Sequence, residues 1–126
     1  MTDPSEKSGG TAHGLNAFIE VTDSSTTDSL GQAMTEVAEW IKASAGCFLG
    51  HVKMAVMTES GTVTLNLTDI ETGVEHHGSL PNGVHADIRF MVAVLDADCG
   101  EMAKRMKNAL ISKGFKLKNK NVVEIR

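Results

Sequence analysis

The groups in this 126-residue chain that could do chemistry are five histidines, two cysteines and sixteen carboxylates. Three of the histidines, His76, His77 and His85, share one polar stretch with Glu71 and Glu75. Imidazole and carboxylate ligands suit zinc, nickel or iron, which makes these three the candidate ligands of a transition metal. Their spacing matches no closed structural zinc site. Neighbouring side chains of an extended segment point to opposite sides, so His76 and His77 are poorly placed to share one ion, and solvated loop histidines are the simpler reading. His51 and Lys53, two residues apart, fall on one side of a strand and are candidate contacts to a partner or an anion. Cys99 follows Asp98 where a helix would begin. Helix N-termini favour thiolates, but Asp96, Asp98 and Glu101 crowd the same place with negative charge. Cys47, after Gly46, reads as a small buried side chain at a helix-to-strand corner. No glycine-rich phosphate loop and no hydrolase elbow is present. No pair of carboxylates is singled out as an acid/base couple. These residues point away from an enzyme and towards a binding or accessory domain without a resident cofactor, a histidine-held metal being the alternative.

The formal charge of −4 hides an asymmetry. Residues 1–103 carry four basic and fifteen acidic side chains; residues 104–126 carry eight basic and one acidic. A basic end on an acidic body serves internal complementarity first and an anionic partner second. Lys104, Arg105 and Lys107 are its candidate contacts to a partner. A nucleic acid is disfavoured, because Phe115 is the one aromatic side chain of the segment and offers no stacking platform.

These side chains must be held by a core with few aromatics. Aromatic residues are 4% of the chain, tyrosine is absent, and seven methionines help to fill the interior. Leu30, Ala33, Met34, Val37, Ala38 and Ile41 recur at helical spacing and predict a helix over residues 29–45, ended by Gly46. Val52, Met54 and Val56, then Val63, Leu65 and Leu67, alternate with polar residues and predict a hairpin turning at Glu59–Gly61. A long irregular stretch follows from Ile70 to His85; loops of that length usually bind something or are loose. Ile88–Leu95 is the most apolar strand and belongs in the middle of the sheet, with Arg89 its one interior charge. Asp98 and Glu101 have capping-box spacing, and Met102, Ala103, Met106, Ala109 and Leu110 form the stripe of a second helix ended by Gly114. Phe115–Leu117 and Val122–Ile125 complete a last strand.

The expected fold is α+β: a two-layer sandwich of four mostly antiparallel strands with two helices on one face, in the order α-β-β-β-α-β. Residues 1–26 read as a flexible tail and linker, with Ala17–Val21 a short strand or extended arm, and residues 27–126 as a single domain. No apolar run approaches the about 20 residues of a spanning helix, and two free thiols suit a cytoplasmic protein. A protein partner or a second copy of the chain is the expected ligand class, with no membrane. An enzyme site assembled across a dimer is a further alternative.

The run Leu49-Gly50-His51-Val52-Lys53-Met54-Ala55, followed by the threonine-rich strand Thr62–Thr68, resembles a segment in the C-terminal part of CobW-family GTP-binding metallochaperones. There a Gly-His-Ile-Lys-like strand precedes a second strand, an apolar strand and a helix, places that Ile88–Leu95 and Met102–Leu110 could take. The likeness spans about Ala38–Gly114. This chain has no P-loop and no room for a GTPase domain, so the resemblance implies a stand-alone accessory domain near metal or corrinoid handling, without GTPase activity.

Overall fold

The computed structural model describes residues 10–95 and 99–118. Strand β1 (Gly10–Ile19) leads to helix α1 (Thr26–Ala45), then β2 (Gly50–Thr58), β3 (Gly61–Leu67), β4 (Glu75–His77), β5 (Ala86–Leu95), helix α2 (Cys99–Ile111) and β6 (Lys116–Leu117). The strands form one antiparallel sheet in the order β4-β3-β2-β5-β1-β6. The expectation of four strands in the order α-β-β-β-α-β is therefore corrected to six strands in the order β-α-β-β-β-β-α-β.

Two strands account for the difference. β1 lies within residues that composition assigns to the tail. Its run Gly-Thr-Ala-His-Gly-Leu-Asn-Ala-Phe-Ile has small and polar members that blur the alternation, yet it pairs with β5 over all ten residues. β4 consists of three exposed polar residues and is held to the edge through its backbone pairing with β3. The cap expected at Asp98 and the strand expected at Val122–Ile125 lie outside the described residues.

Because β1 and β2 both run antiparallel to β5, they are parallel to each other with β5 between them. β5 and β6 likewise flank β1. The chain thus makes two interlocked split β-α-β units, the ferredoxin-like connectivity, widened by β3 and β4. This connectivity hosts many functions and names none.

Both helices lie on the same face and pack against each other. Leu30, Met34, Val37 and Ile41 of α1 and Met102, Met106 and Leu110 of α2 are fully buried, against Val52, Met54, Leu65, Ile88, Phe90 and Val92 of the sheet. Each such side chain contributes about 1.5–3 kcal/mol by leaving water, far more than the 0–1 kcal/mol typical of exposed ion pairs. Gly46 closes α1 in the left-handed conformation, its N–H bonded to the Lys42 carbonyl. Cys47 follows as an exposed free thiol rather than a buried one, in a corner where Gly46 and Leu49 are exposed as well.

The stretch from Ile70 to His85 is tied down. Ile70, Val74 and Leu80 pack against the core, and Thr22, itself buried, grips the far end. Its N–H donates to the Val84 carbonyl, its carbonyl accepts from Gly83 N–H, its hydroxyl donates to the Pro81 carbonyl at 2.6 Å, and the hydroxyl accepts from Val84 N–H.

Candidate functional site

Strand periodicity gives each strand two sets of side chains, and α1 and α2 cover one set. The other faces outward from β3, β2, β5 and β1. The register places it in rows: Asn66, Lys53, Met91 and Gly14 in one; Thr64, Ala55, Arg89 and Asn16 in the next; His51, Ala93 and Ala12 beyond the first. Ala12, Gly14 and Ala93 form a patch of small side chains around Met91, and Ala55 adds another beyond Lys53, next to Arg89. A shallow concavity of about 380 Å³ lies there, between Ala12, Gly14, His51, Lys53, Met91 and Ala93.

Gly50 fixes the geometry. It starts β2 at φ 146°, and a Cβ there would collide with the Ala93 carbonyl oxygen and lie 2.7 Å from Val94 Cα. Only glycine lets β2 approach β5 this closely. That register sets His51 and Lys53 on the open side and Val52 and Met54 in the core.

Lys53 and Arg89 are exposed on diagonal positions of adjacent strands, which puts their Cα atoms roughly 7–8 Å apart. Arg89 Nε donates to Asn16 Oδ1 at 3.4 Å. None of the ion pairs among the described residues includes Lys53 or Arg89. At the far end of the face the charges are matched: Asp87 Oδ1 lies 2.7 Å from Lys118 Nζ and 3.2 Å from His85 Nε2. The Lys118 ammonium, then the His85 ring, hold the Asp87 carboxyl below its ordinary range. His85 also stacks on Phe18, the ring centroids 5.7 Å apart.

The residues singled out in the sequence do not meet in one place. His51 and Lys53 share the open face. His76 and His77 lie on edge strand β4 opposite Leu65 and Thr64, so they point to different sides of the sheet, while His85 is engaged with Phe18 and Asp87. Among the described residues no group of three or more His, Cys, Asp or Glu side chains is placed to hold a metal ion. Lys104, Arg105 and Lys107 belong to α2, on the covered side. Arg105 pairs with Glu101 at 3.1 Å and lies over the Trp40 ring. Lys107 lies near His13 of β1, whose imidazole is held below its ordinary pKa by burial and then by that ammonium. Lys113 and Lys116 pair with Glu36 and Glu20, so much of the basic end answers the acidic body.

A larger depression of about 790 Å³ lies between the β2–β3 turn and the segment 81–87, lined in part by Ser60, His85 and Asp87. The Ser60 hydroxyl is bonded to Thr58 Oγ1, not to His85, and His85 and Asp87 are both open to water. This is not the nucleophile–base–carboxylate chain of acyl transfer.

Sequence reasoning missed Ala12, Gly14, Ala55 and Ala93, which carry no chemical groups. It noted Arg89 as an interior charge without assigning it a task. The signal was there: an arginine inside the most apolar strand has to emerge somewhere, and alternation places it opposite Phe90. No helix among the described residues is long and apolar enough to cross a membrane. No protein-family model, curated protein or solved structure matches this chain.

Proposed function

We propose that the chain is a non-catalytic binding module whose working surface is the open face of its sheet. The observation that carries this reading is the contrast of the two faces: the same four strands are sealed by helices on one side and, among the described residues, left uncovered on the other. The uncovered side has a floor of Ala12, Gly14, Ala55 and Ala93 and two cations, Lys53 and Arg89, outside every ion pair among the described residues. Flat apolar surface with a few fixed polar groups suits a macromolecular partner. A partner protein fits it better than a second copy, because two such faces would bring Lys53 and Arg89 against their own equivalents. Its cysteine usage suits the cytoplasm, and the likeness of Leu49–Ala55 to CobW-family accessory regions would set this role beside metal or corrinoid handling. The strand that carries the likeness is the one that presents His51 and Lys53.

The test compares bulk added to each side. Partners captured from a source-cell extract are purified, and their affinity for the wild-type chain, Ala93→Trp on the open face and Gln32→Trp on the exposed side of α1 is measured by calorimetry. The reading expects Ala93→Trp to weaken binding at least tenfold with unchanged melting, and Gln32→Trp to bind as wild type. The reverse pattern would overturn it.

A further inference from the structure

We infer that the open face takes an extended acidic segment of a partner protein, its carboxylates paired with Lys53 and Arg89 and its aliphatic side chains laid on the alanine floor. This inference rests on the binding-module reading and adds the partner's chemistry. Three observations carry it.

The first is charge. The chain as a whole is acidic, at −4, yet the middle of the open face presents the cations Lys53 and Arg89. Among the described residues, the carboxylates nearest this region in the register are Glu75, on the edge strand, and Asp87, which Lys118 and His85 already engage. A cationic patch attracts an anionic segment and opposes the same patch of a second copy.

The second is spacing. Side chains that share one side of a strand recur about every 6.4–6.8 Å, close to the roughly 7–8 Å diagonal between Lys53 and Arg89. An extended segment with carboxylates two residues apart therefore meets both cations while its backbone stays nearly straight.

The third is the floor. Ala12, Gly14, Ala55 and Ala93 accept branched aliphatic side chains and offer no aromatic ring for a base to stack on. Phe18, the aromatic residue of β1, lies towards the other end of the face and is already stacked with His85. Single-stranded nucleic acid binding draws about 1–3 kcal/mol per base from aromatic stacking, so a nucleic acid would forgo that gain here. Ala12, Gly14 and Ala93 admit a segment close to β1 and β5 beside Met91, where Lys53 and Arg89 can reach past its side chains.

The test titrates the full chain, labelled with nitrogen-15, with four probes: a seven-residue peptide alternating Glu and Val, its Lys/Val and Ser/Val counterparts, and oligothymidylate of the same length. Amide shifts locate each site, and calorimetry gives its affinity at low and moderate salt. The expected result is that the Glu/Val peptide binds most tightly and shifts the amides of Ala12, Gly14, Lys53, Ala55, Arg89 and Ala93. Raised salt should weaken it, and Lys53→Gln and Arg89→Gln should each weaken it about fivefold to tenfold with unchanged melting. Equal or tighter binding of the Ser/Val or Lys/Val peptide on the same amides would overturn the acidic partner and leave the binding module standing. Tighter binding of oligothymidylate there would replace the acidic segment with a nucleic acid. If no probe moves the open-face amides, or the Glu/Val peptide moves those of α2 instead, both readings fall.

Discussion

The two faces of the sheet are made by the same strands and differ in every physical respect. On the covered face Val52, Met54, Val56, Ile88, Phe90 and Val92 are almost wholly removed from water. One residue along, His51, Lys53, Ala55, Arg89, Met91 and Ala93 face outward. The covered face spends large side chains on stability. The open face has small ones where a partner's side chains would have to fit and charged ones where they could be reached. Alternation with period two separates the two tasks, so mutations should separate them as well.

The largest effect expected from breaking this contrast is on the covered face. Phe90→Ala should cost about 3–5 kcal/mol in chemical denaturation. Its neighbour Arg89→Gln should stay within about 0.5 kcal/mol of wild type while losing the acidic peptide. Equal stability losses at 89 and 90 would mean that the open face is covered after all. Gly50→Ala comes next. A left-handed side chain costs roughly 1–3 kcal/mol by itself, and here the Cβ also strikes β5, so the loss should reach about 3 kcal/mol and disturb both faces at once. Thr22→Val should follow at about 1–3 kcal/mol, because it leaves the Pro81 carbonyl and Val84 N–H without their side-chain partner. Proteolysis within residues 78–85 should rise with it.

Titration gives the smallest and most discriminating effect. His13, on the covered face, has a folded-state pKa below the ordinary 6.5 because burial and Lys107 disfavour its cation. The unfolded chain takes up that proton first, so stability is lost as pH falls from about 6.5 through the lower folded value. His13→Gln should flatten that part of the denaturation profile. Asp87, on the open face, is also lowered, by Lys118 and then His85. Its contribution is complete above the ordinary carboxyl value of 3.8 and is lost as pH falls through the folded value. Asp87→Asn should therefore change the profile only below about pH 3.8, whereas the His13→Gln change should begin at about 6.5 as pH falls.

Much of the covered face was legible in the sequence. The stripe from Leu30 to Ile41, the alternation from Val52 to Leu67 and the run from Ile88 to Leu95 are large apolar residues at regular spacing, the signal that periodicity reads best. Of β1 only the end was legible, within the short strand or arm expected at Ala17–Val21, because Gly10, Gly14 and Asn16 interrupt the rest of its pattern and its pairing is supplied by β5. β4 was not, because three polar residues become a strand only when β3 offers a free edge. Thr22 looked like linker, and its four hydrogen bonds exist only once the chain has folded. The candidate site was half visible: His51 and Lys53 stood out as functional groups, whereas the alanines and glycine of its floor matter for what they leave out.

The most direct test of the account is an amide shift map of the full chain bound to the partner captured from its own cells. The account predicts that the perturbed residues form one patch running through Ala12, Gly14, Lys53, Ala55, Arg89 and Ala93, with α1 and α2 silent. A patch centred on Lys104, Arg105 and Lys107, with the sheet face unmoved, would contradict it.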